Sequence, residues 1–403
     1  MKNALKAKSS EFDKAKNLVE KKIQKLRKET PKIEFPHGKV AELEINKFFY
    51  NHKTIDRVMI VLRANGCEHY KKTGGCSMCS HYNGIDRNSQ ITTEDYIKQW
   101  DSVMSGNNLE QNKKFNINNY PVVCVYNLGS LLNEKEISHE AVRYIFDSLN
   151  DCSGVQKVII ESRAEYVTDD SIKNIKSVYN KGIVEVGIGV ESTNSVIREI
   201  CHHKGIKDLF SIRNAIEMLH KYNFKALAYV NFKPIFLTEQ EAIEDAIQTT
   251  IDCFEMGFDA VSIEPTSLQN YSLANHLHQI GKYRVPWLWS IRDVVQGVYD
   301  KNKSNSLDIR LGGYFDEDVL SGSQGVGYEN RNEIFPSITS LNCDKCSNKF
   351  IECIKNFNMS YDLKDLYNIN NCNNCYKIWE DAKKVKDSRS IINRVKDILD
   401  DLN

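Results

Sequence analysis

The stretch Arg63-Ala-Asn-Gly-Cys67-Glu-His-Tyr-Lys-Lys-Thr-Gly-Gly-Cys76-Ser-Met-Cys79-Ser-His-Tyr-Asn83 follows an apolar run at 58–62 that reads as a strand. Three thiolates on the loop after a first strand can hold three irons of a 4Fe-4S cube. The fourth iron then lacks a protein ligand and is open to a small molecule. Gly66, Gly74 and Gly75 would let the backbone wrap close to inorganic sulfide. A zinc site would need a fourth donor, which His69 or His81 could supply. The position of the triad, after a strand that opens an α/β rhythm, favours iron–sulfur.

That rhythm runs through most of the chain. Strand-like runs fall at 57–62, 122–126, 157–161, 184–190, 225–231 and 260–264, with a seventh at 308–311. Helix-like segments fall between them, at 93–103, 138–149, 170–180, 195–199, 206–220, 239–256 and 287–299. Strands separated by helices imply a parallel sheet with right-handed crossovers. Six or seven such units predict an α/β fold, a partial or full (β/α) barrel, with chemistry at the C-terminal strand ends. An open doubly wound sheet is the alternative. No G-x-G-x-x-G opens a helix, which weakens a dinucleotide reading.

The flanks differ from this core. Residues 1–31 read as a charged amphipathic helix stopped by Pro31, docked by one apolar stripe or else facing RNA as a basic arm. The expected division is an N-terminal helical extension at 1–50, a barrel core at 51–311 and a cysteine-rich metal-binding lobe at 312–403. No apolar run approaches the ~20 residues of a membrane helix. The Lys-rich start lacks the apolar core of a secretion signal, so a cytoplasmic protein is expected. The formal net charge of zero gives no global nucleic-acid signal.

Twelve cysteines are many for a cytosolic chain, and grouped ones read first as metal ligands. Cys343-x2-Cys346 and Cys372-x2-Cys375 form two knuckles that predict a four-thiolate site for zinc or for a second iron–sulfur cluster. Cys353 is spare. Cys124, Cys152, Cys201 and Cys253 sit singly among apolar residues and read as small buried hydrophobes.

The first cysteine loop resembles that of radical S-adenosylmethionine (SAM) enzymes, with a widened gap: C-x8-C-x2-C in place of the usual C-x3-C-x2-C. A widened gap also marks the Elongator catalytic-subunit-like branch, and within it the resemblance is to the archaeosine-forming radical SAM family. Further segments carry it in family order: Tyr126-Asn-Leu-Gly129-Ser130, Glu161-Ser-Arg163-Ala-Glu165, Gly187-Ile-Gly189-Val-Glu191-Ser192, Lys233-Pro-Ile-Phe-Leu-Thr-Glu239 and Tyr283-Arg-Val-Pro-Trp287-Leu-Trp289-Ser290. Together they span roughly residues 55 to 380.

The resemblance implies a 4Fe-4S cluster on Cys67, Cys76 and Cys79, with SAM on the open iron. An electron from a donor such as flavodoxin or ferredoxin would cleave SAM to a hydrogen-abstracting 5′-deoxyadenosyl radical. Tyr126, Asn127, Gly129 and Ser130 would hold the SAM ammonium, and Met78 would pack near the adenine or cover the cluster. Glu161 and Arg163 end a strand with charges that need partners. Arg163 would pair the SAM carboxylate, or else Glu161 or Glu165. Glu191 would accept from the ribose hydroxyls, or else bridge to Arg198 or Lys204. Tyr229, Asn231 and Lys233 share a strand face and, with Gln269 and Asp316, would face the substrate. Lys233 could equally be a barrel-mouth salt bridge, and Trp287 and Trp289 read as core. The implied substrate is a lysine-bearing 7-deazaguanine in tRNA, with carbon–nitrogen cleavage leaving an amidine. The alternatives are a radical SAM enzyme acting on a free small molecule or peptide, and a non-catalytic zinc-bound nucleic-acid module.

Overall fold

A computed structural model describes residues 2–32, 34–106, 115–302, 307–314, 317–321 and 340–400. Nine strands form one sheet: β1 (Glu42–Tyr50), β2 (Lys53–Val61), β3 (Val122–Tyr126), β4 (Lys157–Ser162), β5 (Ile183–Gly189), β6 (Lys225–Phe232), β7 (Ala260–Pro265), β8 (Ile309–Leu311) and β9 (Glu317–Ser321). From β2 to β8 the strands run parallel and neighbour one another in chain order. That order is the one a (β/α) barrel requires. An unexpected strand precedes them. β1 pairs antiparallel with β2 across Asn51 and His52, both with positive φ, as a tight two-residue hairpin demands. The first fifty residues therefore add a strand as well as a helix, and β9 pairs antiparallel on the outer side of β1.

Helices cover the outside: α1 (Lys2–Lys28), α2 (Glu68–Thr73), α3 (Thr93–Met104), α4 (His139–Asp151), α5 (Asp169–Lys176), α6 (Phe210–Lys221), α7 (Glu239–Met256), α8 (Leu273–Gln279) and α9 (Leu288–Lys301). Helix α7 starts at a capping box on Thr238 and stops at Gly257 in the left-handed conformation, which sets its ends at the predicted residues. The segment expected as a helix at 195–199 is instead a π-helix at Ile197–Cys201. Helix α1 buries Ala15, Val19, Ile23 and Leu26, the stripe of a docked helix.

Strand alternation divides the core in two. On β3, Val123 and Val125 pack outward under the helices, while Val122 and Cys124 pack inward with Phe48 and Ile159. At the N-terminal ends of the strands the interior is charged but paired. The buried Glu185 carboxylate takes Lys157 Nζ at 2.7 Å and Arg310 Nη1 at 2.6 Å. The Phe48 ring lies under Arg57 and Arg310, with centroid distances of 4.6 and 5.3 Å.

The cylinder is not closed by strands, because no ladder joins β8 to β1 among the described residues. Helix α10 (Ser347–Ser360) lies against both. Asn358 donates to Leu311 O at 2.8 Å and accepts from Leu311 N at 2.9 Å, continuing the β8 edge. The ring of Tyr361 meets Phe49 of β1 at 5.1 Å. Helices α11 (Tyr376–Lys384) and α12 (Ile391–Asp400) pack on α7 and α1. Trp289 is core, fully buried against Phe350, Tyr376 and Trp379. No helix among the described residues is long and apolar enough to cross a membrane.

Candidate functional site: two cysteine groups

Alternate residues of the parallel strands point into one cavity of 480 Å³. Met59, Ile159, Glu161, Tyr229, Asn231, Ser262 and Glu264 line it, and so do Cys67, Cys76 and Cys79 from the loop after β2. On β5 the inward positions are Gly187 and Gly189. A Cβ at Gly187 would strike the Tyr229 ring, and one at Gly189 would strike Lys204 Nζ and Glu191. The two glycines make room for those side chains.

The cysteine loop is held from several sides. Gly74 and Gly75 take φ of 90° and 85°, which turn the chain between α2 and Cys76. Glu136 Oε1 accepts from the Glu68 backbone N–H at 2.8 Å, and its Oε2 accepts from that of Ser130 at 2.6 Å. It thereby ties the residue after Cys67 to the loop after β3. Gly129 is needed there because a Cβ would collide with Glu136 Oε2.

The three thiols differ in environment. Burial pushes Cys76 up to about 12. Burial also opposes ionisation of Cys79, but the adjacent His81 and then Arg27 bring it to about 6. The charge of Cys79 lifts His81 in turn to about 9. Cys67 is raised by burial and by Glu136.

Three of the parallel strands are followed by a non-glycine residue with positive φ: Leu128 after β3, Glu191 after β5 and Lys233 after β6. Such backbone is uncommon and concentrates at functional sites. Glu191 lines the cavity and takes Lys204 Nζ at 2.6 Å. Arg198 instead donates to the carbonyls of Ser192, Thr193 and Ile206. Arg163 lines the cavity with Nε on Glu165 at 2.6 Å and Nη1 on Lys204 O at 2.9 Å. Burial raises the Glu161 carboxyl, partly offset by His81 and a hydrogen bond from Tyr229. Burial likewise raises Glu264 to about 7, opposed by the Ser262 hydroxyl and reinforced by Glu161 and Glu191.

Most of the residues singled out from sequence meet here: Met78, Tyr126, Gly129, Ser130, Glu161, Arg163, Glu191, Tyr229, Asn231 and Gln269 all line the cavity. Two do not. Asn127 follows the inward Tyr126 and is buried outside the lining, where its amide has no hydrogen-bond partner in the described structure. Lys233 is buried against Glu239 at 2.6 Å and Arg284 O at 2.9 Å, the salt bridge of its second reading. Asp316 lies outside the described residues. Sequence reasoning missed Glu136 and Arg27, each of which bonds a backbone atom far along the chain, Glu68 N and Gly74 O.

The second cysteine group is built differently. The sulfurs of Cys343, Cys346, Cys372 and Cys375 all lie within 4.8 Å of one another. Individual separations are 3.7 Å (Cys343–Cys346), 3.6 Å (Cys343–Cys372) and 3.5 Å (Cys346–Cys375). Cys346 and Cys375 stand at the N-caps of α10 and α11. Cys375 Sγ also accepts from Trp289 Nε1 at 3.4 Å. Cys353 is buried on α10, apart from the four. The four single cysteines are buried, as expected.

No family model matches the chain. An uncharacterized protein of Methanocaldococcus jannaschii is 32% identical over 310 residues, covering 76% of this chain and 77% of that protein. Archaeosine synthase subunit beta of Methanosarcina acetivorans is 26% identical over 328 residues, 81% of this chain and 85% of its own. The subunit of that name from Thermococcus kodakarensis is 28% identical over 315 residues, 77% and 87%. The chain belongs to one family with the Methanocaldococcus jannaschii protein and is related to archaeosine synthase subunit beta over more than three quarters of its length. The cysteine loop resembles that of radical SAM enzymes, which would place a 4Fe-4S cluster and SAM here, and the cavity would suit both. It offers three thiols that do not crowd around a single point, as donors to three corners of a cube need not. Charged and hydroxyl groups on the strand ends face those thiols across the same space.

Proposed function

We propose that the chain is a radical SAM enzyme that acts on a lysine-bearing 7-deazaguanine in tRNA, cleaving a carbon–nitrogen bond to leave an amidine. The observation that carries the reading is the shared cavity: the triad of one loop and the polar ends of the parallel strands line the same 480 Å³. That space suits a cofactor and part of a nucleobase, not a folded RNA, so the base would enter unstacked from its helix. The relatedness to archaeosine synthase subunit beta supports the substrate class.

In this reading Cys67, Cys76 and Cys79 hold the cluster. When bound, cluster and SAM together supply one-electron cleavage and hydrogen abstraction, with the electron drawn from a flavodoxin- or ferredoxin-type donor. The chain's own residues bind and orient. Tyr126, Gly129 and Ser130 present the β3 loop, Arg163 offers a buried cation, and Glu191 offers a carboxylate fixed by Lys204. Tyr229, Asn231, Glu264 and Gln269 form the wall left for substrate. Asn231 is oriented by Thr266 Oγ1 at 2.6 Å, and Gln269 by Ser80.

We assign the C-terminal tetrad to a structural zinc ion. Four sulfurs at 2.3 Å from a tetrahedral ion stand about 3.8 Å apart. The separations of 3.5 to 3.7 Å match that edge and are too short for four cysteines spread over a cube.

The experiment is anaerobic reconstitution with iron, sulfide, SAM and dithionite. Release of 5′-deoxyadenosine is expected, rising with tRNA that carries the lysine adduct and not with free amines. A fully loaded cluster that releases none would overturn the reading. Stimulation by a free amine and not by the tRNA would move the substrate to the small-molecule class.

A further inference from the structure

Arg27, near the end of α1, is the charged side chain that the mechanism leaves unused and the packing does not explain. It is 4% exposed, and its guanidinium meets four carbonyls of the site. Nε donates to Gly74 O at 3.1 Å, Nη1 to Tyr271 O at 3.0 Å, and Nη2 to Cys76 O at 3.3 Å and to Cys79 O. The Tyr82 ring lies 5.7 Å away. No carboxylate is among these contacts in the described structure. A buried guanidinium without an anion is expensive. The ionisable groups that act on it are the Cys79 and Cys76 sulfurs, with the Tyr70 and Tyr82 hydroxyls beside them. A planar fork reaching several carbonyls at once is something lysine cannot reproduce.

We infer that Arg27 is a positioning residue for the cluster. It fixes the Cys76–Cys79 turn through backbone carbonyls and supplies the positive charge opposite the thiolates. The helix that carries it is seated for this purpose. Lys16 pairs with Glu199, and Glu20 meets His203, whose Nδ1 lies 2.9 Å from Gly75 O. The N-terminal helix is thus a strap over the cluster loop. A reduced cluster carries one more negative charge than an oxidised one, so a fixed cation beside it favours reduction. The inference rests on the reading that Cys67, Cys76 and Cys79 hold the cluster.

The test uses full-length chain reconstituted anaerobically as wild type, R27Q, R27K and the exposed-position control K25Q. Three quantities are read: iron retained after desalting, the cluster's midpoint potential followed by electron paramagnetic resonance, and far-UV circular dichroism. R27Q is expected to lose iron about tenfold more readily, the usual scale for groups that orient metal ligands. Its one-electron reduction equilibrium should move about tenfold toward the oxidised form, or about 59 mV. R27K keeps the charge, so it should hold the wild-type potential while still losing iron faster. K25Q should match wild type. An R27Q cluster with wild-type iron and potential overturns the inference, as does an equal shift of potential in R27K and R27Q. If circular dichroism shows R27Q unfolded, R27K decides, and its retaining iron as wild type does would overturn the positioning role. A wild-type chain that takes up no iron would sink the cluster reading itself, which is a different failure.

Discussion

Cys67, Cys76 and Cys79 line a cavity without converging on a point, whereas Cys343, Cys346, Cys372 and Cys375 crowd within 4.8 Å. The first group sits on a loop clamped through its backbone by Arg27 and Glu136. The second sits at the starts of two helices and is covered by Trp289. One element type, the C-x2-C turn, occurs in both. What separates them is the number of donors and what they face. Four thiols at and just before two helix starts would close a coordination sphere, while three thiols facing strand ends would leave one position open. The sharpest way to break the comparison is to remove one sulfur from each. Cys76→Ala should drop 5′-deoxyadenosine release to background, and Cys375→Ala, measured on chain that remains folded, should not. Equal loss in both would mean that the tetrad takes part in the chemistry.

The next effect concerns stability. If the tetrad is a closed structural site, its ion holds α10 and α11 together, and α10 holds the gap between β8 and β1. Cys375→Ser, or extraction with a zinc chelator, should lower the unfolding free energy in urea titrations, by up to the roughly 10 kcal/mol that a structural zinc contributes. Metal analysis should find one zinc lost per chain. An unchanged urea midpoint would show that Trp289 and its aromatic neighbours suffice without the ion.

A smaller effect sharpens the other side of the comparison. Glu136→Gln replaces an acceptor by an N–H₂ at one of two backbone donors, Glu68 N or Ser130 N. Leaving such a buried donor unmatched costs about 1–3 kcal/mol. The cluster loop should loosen beside Cys67, and iron should be lost about tenfold more readily in a desalting assay. The tetrad's metal should stay in place. Loss of both metals together would show that the two regions unfold as one.

Much of this arrangement was legible before the structure, for physical reasons. β3 and α7 were placed at their residues because apolar alternation and a capping box are local signals. Both cysteine groups show in the sequence because their spacing is local, and the structure brings the sulfurs of the second within 4.8 Å of one another. β1 was not found. It carries Glu44 and Asn46, each 2% exposed, and their burial depends on neighbours such as Arg57 that the local pattern does not announce. Lys233 was placed on the cavity face by counting in twos from Tyr229. The left-handed backbone at Lys233 ends that alternation, and the side chain reaches Glu239 instead. Arg27 and Glu136 left no trace in spacing, because each bonds backbone atoms more than forty residues away. Polar clamps of this kind become visible only when the chain is folded.

The smallest effect tests whether the cavity, unlike the tetrad lobe, holds charge at the expense of stability. Burial raises Glu264 to about 7, and Glu161 and Glu191 add to it, while the Ser262 hydroxyl offsets part. Its unfolded value is about 4.3. The folded state therefore binds the proton more tightly than the unfolded chain. Stability is highest below the unfolded value, falls as pH rises between the two, and levels off above about 7. Glu264→Gln has no proton to lose. It should match wild type near pH 4.5 and become more stable as pH rises, by about 1 kcal/mol at pH 8 once the partial solvation of a cavity-facing group is allowed for. Thermal unfolding of SAM-free protein across that range measures the difference. Growth of the gap with pH would mean that the carboxylate is kept for a ligand at the cost of the fold. A constant gap would mean that Glu264 is already ionised at no cost and belongs to the scaffold, which would erase the contrast on this wall of the cavity.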